Sequence, residues 1–167
     1  MDIQGLKSSN IPSIYFGKKY PYFAEVMDGK NIYRTNFLVF GGTPRNRTIF
    51  IVHWLKKIIR KLDKCVGVKF YHYEDIIEKL KINRYIELQR EMVQYRWIAI
   101  DNVDFSYASS VRELKMFFAL FRSVYESSAN KKFMITVAHN HKEFMGNVPD
   151  LISEALKDDF MALDLKI

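Results

Sequence analysis

Short apolar runs alternate along the chain with longer stretches that are apolar on one helical face. Asn36-Phe37-Leu38-Val39-Phe40 is the first run. Its continuous apolarity predicts a strand buried on both sides, as in a parallel sheet. Gly67 to Tyr71, Trp97 to Ile100, Phe133 to Val137 and Phe160 to Leu165 predict four more strands. Between them, Ile51, Trp54, Leu55, Ile58, Ile59 and Leu62 recur at helical spacing and predict a helix over 48–64. Further helices are predicted from Tyr73 through Leu80, over about 84–95, over 110–127 and over about 149–158. Strands alternating with helices imply an α/β fold with a mainly parallel five-stranded sheet. Residues 1–35 break the pattern. Pro12, Pro21 and mixed aromatics predict an irregular leading segment on the edge of a domain that spans 36–167.

Composition narrows the class. With 167 residues, 49% hydrophobic and 27% charged, the chain suits one globular domain and excludes disorder. A single cysteine, Cys65, excludes an internal disulfide and a cysteine-based zinc site, and fits a reducing cytoplasm. No apolar run is long enough to span a membrane. The formal charge of +7 favours anionic partners. Lys56, Lys57, Arg60, Lys61 and Lys64 line the polar side of the 48–64 helix and are the candidate nucleic-acid contacts.

Two places carry the elements of phosphate chemistry. A phosphate-binding loop sits between a buried strand and a helix, so that backbone N–H groups and the helix dipole face the anion. Its pattern is G-x-x-x-x-G-K-[ST]. Here Gly41 is followed, after four residues, by Asn46-Arg47-Thr48. Gly41, Gly42, Asn46, Arg47 and Thr48 are therefore the candidate nucleotide-binding residues. Asn46 tolerates left-handed backbone angles, whereas Arg47 brings a planar fork where an ammonium is usual. The second place is Ile98-Ala99-Ile100-Asp101-Asn102, an apolar strand ending in a carboxylate. Thr48 and Asp101 are the candidate magnesium ligands. Asn102 cannot act as a base at neutral pH, so Asp101 and Asp104 would carry any catalysis. His139 and His141 lack a third metal ligand and fit a polar loop. His53 and His72 stand alone.

In order and spacing these segments resemble the AAA+ core of the DnaA-type replication initiators and the DnaC/IstB-type helicase loaders. Phe37 to Thr48 resembles their Walker A unit and Ile98 to Asn102 their Walker B strand. Phe133 to Thr136 with Lys142-Glu143-Phe144 resembles the sensor-1 strand and its following helix, and Leu151 to Leu165 the final helix and strand. The resemblance implies a three-layer P-loop domain of AAA+/RecA-like type without an α-helical lid. It implies a cytoplasmic DNA-replication accessory role, with a replicative helicase or an initiator ATPase as partner, and DNA besides. It implies ATP and magnesium as cofactors, here bound weakly or not at all. The departures are specific. The second Walker A glycine is Asn46, its lysine is Arg47, and the second Walker B carboxylate is Asn102. The sensor-1 position falls on Ala138, with His139 and Asn140 beside it. Lys157, Asp158 and Asp159 stand where the family places an arginine finger. These losses predict little or no ATP hydrolysis and a monomer or small oligomer. The alternatives are an active DNA-dependent ATPase with an atypical loop, and a nucleotide-independent adaptor or inhibitor.

Overall fold

The computed structural model describes residues 32–62 and 67–165. The expected leading segment up to residue 31 lies outside them, as do Lys64 and Cys65. The elements run β1 (Asn36–Gly41), α1 (Pro44–Leu62), β2 (Val68–His72), α2 (Tyr73–Lys81), α3 (Tyr85–Met92), β3 (Trp97–Val103), a 3-10 turn (Phe105–Tyr107), α4 (Val111–Glu126), β4 (Lys132–Val137), α5 (His141–Asn147), α6 (Asp150–Asp159) and β5 (Phe160–Leu165). The strands form one five-stranded sheet in the order β2-β3-β4-β1-β5. Every pairing is parallel. No helix among the described residues is long and apolar enough to cross a membrane.

Two apolar layers follow from the alternation of side chains along buried strands. Phe37, Val39, Ala99, Met134 and Leu163 pack on one face beneath α1, whose Phe50, Ile51, Trp54, Leu55 and Ile58 are buried. Leu38, Phe40, Ile98, Ile100, Phe133 and Ile135 pack on the other face beneath α2 to α6. Ser110 opens α4 with a capping box closed by Glu113, and Asn140 opens α5 with one closed by Glu143. Each box satisfies backbone N–H groups that the first helical turn leaves unpaired.

The predicted and observed elements differ most at α1. The helix begins at Pro44, four residues before the predicted start. Proline suits the first helical position, where no N–H is needed. Thr43 precedes it, and its Oγ1 accepts a hydrogen bond from the Asn46 N–H at 3.2 Å. The Arg47 N–H already bonds the Thr43 carbonyl at 3.1 Å. The loop between β1 and α1 is therefore only Gly42 and Thr43.

Candidate functional site

In parallel α/β sheets, ligands gather beyond the carboxyl ends of the strands, where the strand order reverses. Here β1 sits between β4 and β5, and the ends of β1, β3 and β4 converge at that point. Gly41 and Gly42 hold φ of 72° and 65°. A Cβ on Gly41 would lie 2.6 Å from Asp164 Oδ1, so glycine is the residue that fits against β5. This close approach also brings a carboxylate to the start of the loop.

Strand β3 carries the acid. Its register against β4 shifts between Ile100 and Val103, and Asn102 takes φ of 57°. Asn is among the few residues that adopt this left-handed conformation readily. The irregularity has the effect of a bulge, which re-aims side chains. Two consecutive residues, Asp101 and Asn102, thereby both reach the first turns of α1. Asp101 is 2% exposed. The Thr48 hydroxyl lies 2.6 Å from its Oδ2. The Thr136 hydroxyl donates to its Oδ1 at 2.7 Å. Thr136 Oγ1 in turn accepts the Asn102 N–H at 2.8 Å. A buried carboxylate is thus held by two hydroxyls from two different elements.

Arg47 closes the other half. It is 4% exposed. Its Nη1 donates to the carbonyls of Gly41 at 3.1 Å and Gly42 at 2.9 Å. Its Nη2 donates to Asn102 Oδ1 at 2.6 Å. Its Nε has no partner among the described residues. Burial pulls the guanidinium below its ordinary pKa, while the charges of Asp101 and Asp104 pull it back up. It remains a cation. The side chain therefore staples the glycine loop to the bulge of β3.

Asp104 starts the 3-10 turn, where its Oδ1 accepts the Ser106 N–H at 2.9 Å. Partial burial would raise its pKa, but the Ser106 hydrogen bond and the charges of His139 and Arg47 hold it below the usual aspartate range. His139 Nε2 accepts the Phe105 N–H at 3.0 Å, and its ring stacks on Phe105. That nitrogen is used as an acceptor, not as a metal ligand. No group of three metal-binding side chains occurs among the described residues.

The sequence-predicted site residues thus divide. Gly41, Gly42, Arg47, Thr48, Asp101 and Asn102 come together, with Asp104 near enough for its charge to act on Arg47. Asn46 contributes its backbone to the cap of α1. Two neighbours escaped the sequence reading. Thr136 belongs to the segment that resembles the sensor-1 strand, but its bond to Asp101 was not among the expected site contacts. His72, set aside as isolated, ends β2 with Nδ1 3.8 Å from Asp101 Oδ2. In the proposed nucleic-acid face, Lys56 and Lys57 are half-buried and Arg60 and Lys61 exposed. Lys61 covers the Tyr33 ring at 3.8 Å.

The residues fit a magnesium ion and a triphosphate unequally. Thr48 and Asp101 offer adjacent hard oxygen ligands, the donor type magnesium takes. The phosphate side does not fit. The Arg47 N–H is bonded within the helix, the Asn46 N–H is capped by Thr43, and Pro44 has none. The charged group that could meet a phosphate is bonded to the loop's own carbonyls.

The strand order, the loop after β1 and the acid at the end of β3 make a five-stranded parallel α/β fold. Known structures share it. DnaI superposes with a TM-score of 0.63 at 10% identity, over 99% of this chain and 95% of that one. AMPPCP-bound DnaA from Aquifex aeolicus gives 0.61 at 13% identity, over 96% of this chain and 50% of that one. Domain III of DnaA from Thermotoga maritima gives 0.58 at 13% identity, over 93% and 63%. The chain spans about half the length of the Aquifex DnaA chain. No protein-family model matches the sequence, and no curated protein matches it.

Proposed function

We propose that this chain is a DNA-replication accessory domain that uses the AAA+ fold as a binding scaffold and turns over little or no ATP. Its partners on this reading are DNA and a replicative helicase or initiator ATPase. The observation that carries the reading is the Arg47 staple. The Arg47 guanidinium spends its Nη donors on the Gly41 and Gly42 carbonyls and Asn102 Oδ1 instead of on a triphosphate, and Asn102 supplies no base. The shared fold with DnaA and DnaI supports the replication setting by analogy of architecture.

The intact Thr48–Asp101 pair favours the competing reading of an active ATPase with an atypical loop. One assay separates the two. Purified protein should hydrolyse ATP no faster than Asp101→Ala, with or without DNA. Turnover that disappears in Asp101→Ala would establish the ATPase. The same reading expects ATP and magnesium to leave the oligomeric state unchanged, because a ligand shifts an equilibrium only by its differential affinity. Light scattering with and without nucleotide reads this directly.

A further inference from the structure

The opposite end of the sheet carries a feature that no sequence motif marks. Because all strands are parallel, their starts gather at one pole, and α1 returns there with Arg60 and Lys61 in its last turn. A chain of contacts connects Lys61, Arg96 and Lys132 across this pole. Lys61 lies over Tyr33. The Tyr33 carbonyl accepts the Trp97 indole N–H at 3.4 Å. The Arg96 guanidinium lies over Trp97 at 4.5 Å. The Arg96 carbonyl accepts the Lys132 N–H at 2.7 Å. Lys132 then shares a cavity of about 510 Å³ with Arg34 and Asn36.

Arg34, Arg60 and Arg96 are exposed, and none has a carboxylate partner among the described residues. The nearby acids are engaged elsewhere. Glu91 pairs with Lys69 at 2.9 Å, Glu126 pairs with Arg122 at 2.8 Å, and Asp159 bonds the Tyr125 hydroxyl. Lys131 is also there, but its Nζ is buried against the Val93 and Tyr95 carbonyls. Exposed cations whose acidic neighbours already hold other partners make a field for a polyanion, even with Glu126 and Asp159 lining the same cavity.

We propose that this strip, from Arg60 through Arg96 to Arg34, binds the phosphate backbone of nucleic acid. Three observations favour nucleic acid over an anionic membrane. Arg96, Lys132 and Arg34 sit at or just before the starts of three neighbouring strands, β3, β4 and β1, with the starts of β1 and β3 two strand spacings, ~10 Å, apart. Three of them are guanidinium forks, which match phosphate oxygens in pairs. The strip's own rings, Tyr33 and Trp97, are covered by Lys61 and Arg96, so they offer a bilayer no apolar wedge. The contact is to the backbone and carries no base sequence. It extends the candidate helix face by adding Arg34, Arg96 and Lys132. It rests on the nucleic-acid part of the proposed function and needs no nucleotide.

The test is fluorescence anisotropy with a labelled oligonucleotide of about 30 residues, single-stranded and duplex, across a salt series. Arg34→Glu/Arg60→Glu/Arg96→Glu should bind at least about tenfold more weakly than wild type, with a shallower slope of log affinity against log salt. Arg112→Glu, off the strip at the start of α4, should stay within about twofold. The triple glutamine variant repeats the comparison if the glutamate variant does not melt cooperatively. Wild-type affinity in the triple variants, an equal loss in Arg112→Glu, or tighter binding to phosphatidylserine vesicles than to either oligonucleotide would each overturn the proposal. Each titration is repeated with ATP and magnesium. A requirement for nucleotide would overturn the nucleotide-independent reading, while the ranking of the variants would still decide the strip.

Discussion

The two ends of the sheet are built from the same strands and treat charge in opposite ways. At the carboxyl end, charge is turned inward. Asp101 is held by Thr48 and Thr136, and Arg47 by two carbonyls and Asn102. At the amino end, arginines face out while the nearby carboxylates are occupied by other partners. Buried charges are tolerated only when hydrogen-bonded, whereas exposed cations contribute little to stability and much to association. On the proposed reading, the carboxyl end serves as a structural clasp and the amino end as the surface for a partner.

The comparison can be broken by substitutions, and the largest effect belongs to the clasp. Arg47→Ala should destabilise the domain by about 3 kcal/mol, because it leaves buried Asp101 without the cation that balances it and frees two partly buried carbonyls. Arg47→Lys should lose less, since one ammonium retains the charge but cannot span Gly41, Gly42 and Asn102 together. Urea denaturation measures both. Equal stability of Arg47→Ala and wild type would mean that no clasp exists. Thr136→Val should lose about 2 kcal/mol, because the Asn102 N–H and one Asp101 oxygen lose their partner while shape is kept.

Acid denaturation sharpens the contrast further. Asp104 has a depressed folded pKa. Its contribution is therefore present above the ordinary aspartate pKa and lost as pH falls through the lower folded value. Asp104→Asn should be less stable than wild type at neutral pH, and the gap should narrow on acidification below the ordinary aspartate range. A gap independent of pH would remove the electrostatic account of that residue. The smallest effect is expected at the amino end. Reversing Arg34, Arg60 or Arg96 singly should change stability by no more than about 0.5 kcal/mol.

Much of the architecture was legible because buried parallel strands are continuous apolar runs. Phe160 to Leu165 is found where it was predicted, and the starts of the other strands fall within one residue. The start of α1 was missed because the glycine-loop pattern drew attention to Thr48. The Thr43-Pro44 pair is itself a helix-start signal, and it decides how short the loop is. In the site, the residue types at Arg47, Asp101 and Asn102 were legible. What each touches was not, because the bulge at Asp101–Asn102 and the inward turn of Arg47 depend on β4 and α1 packing together. Thr136 and the amino-end strip arise where segments far apart in sequence meet, as where Arg34 and Lys132 line one cavity, and no local pattern encodes that.

The central claim is that Arg47 stands in the way of a triphosphate, and calorimetric titration of ATP with magnesium tests it most directly. The account predicts no saturable heat for wild type at ligand concentrations up to about 1 mM, and no rise in melting temperature. A ligand at about 100 times its Kd would add about 2.7 kcal/mol of stability, which a melt would show plainly. Saturable binding with a micromolar Kd that disappears in Asp101→Ala would contradict the account.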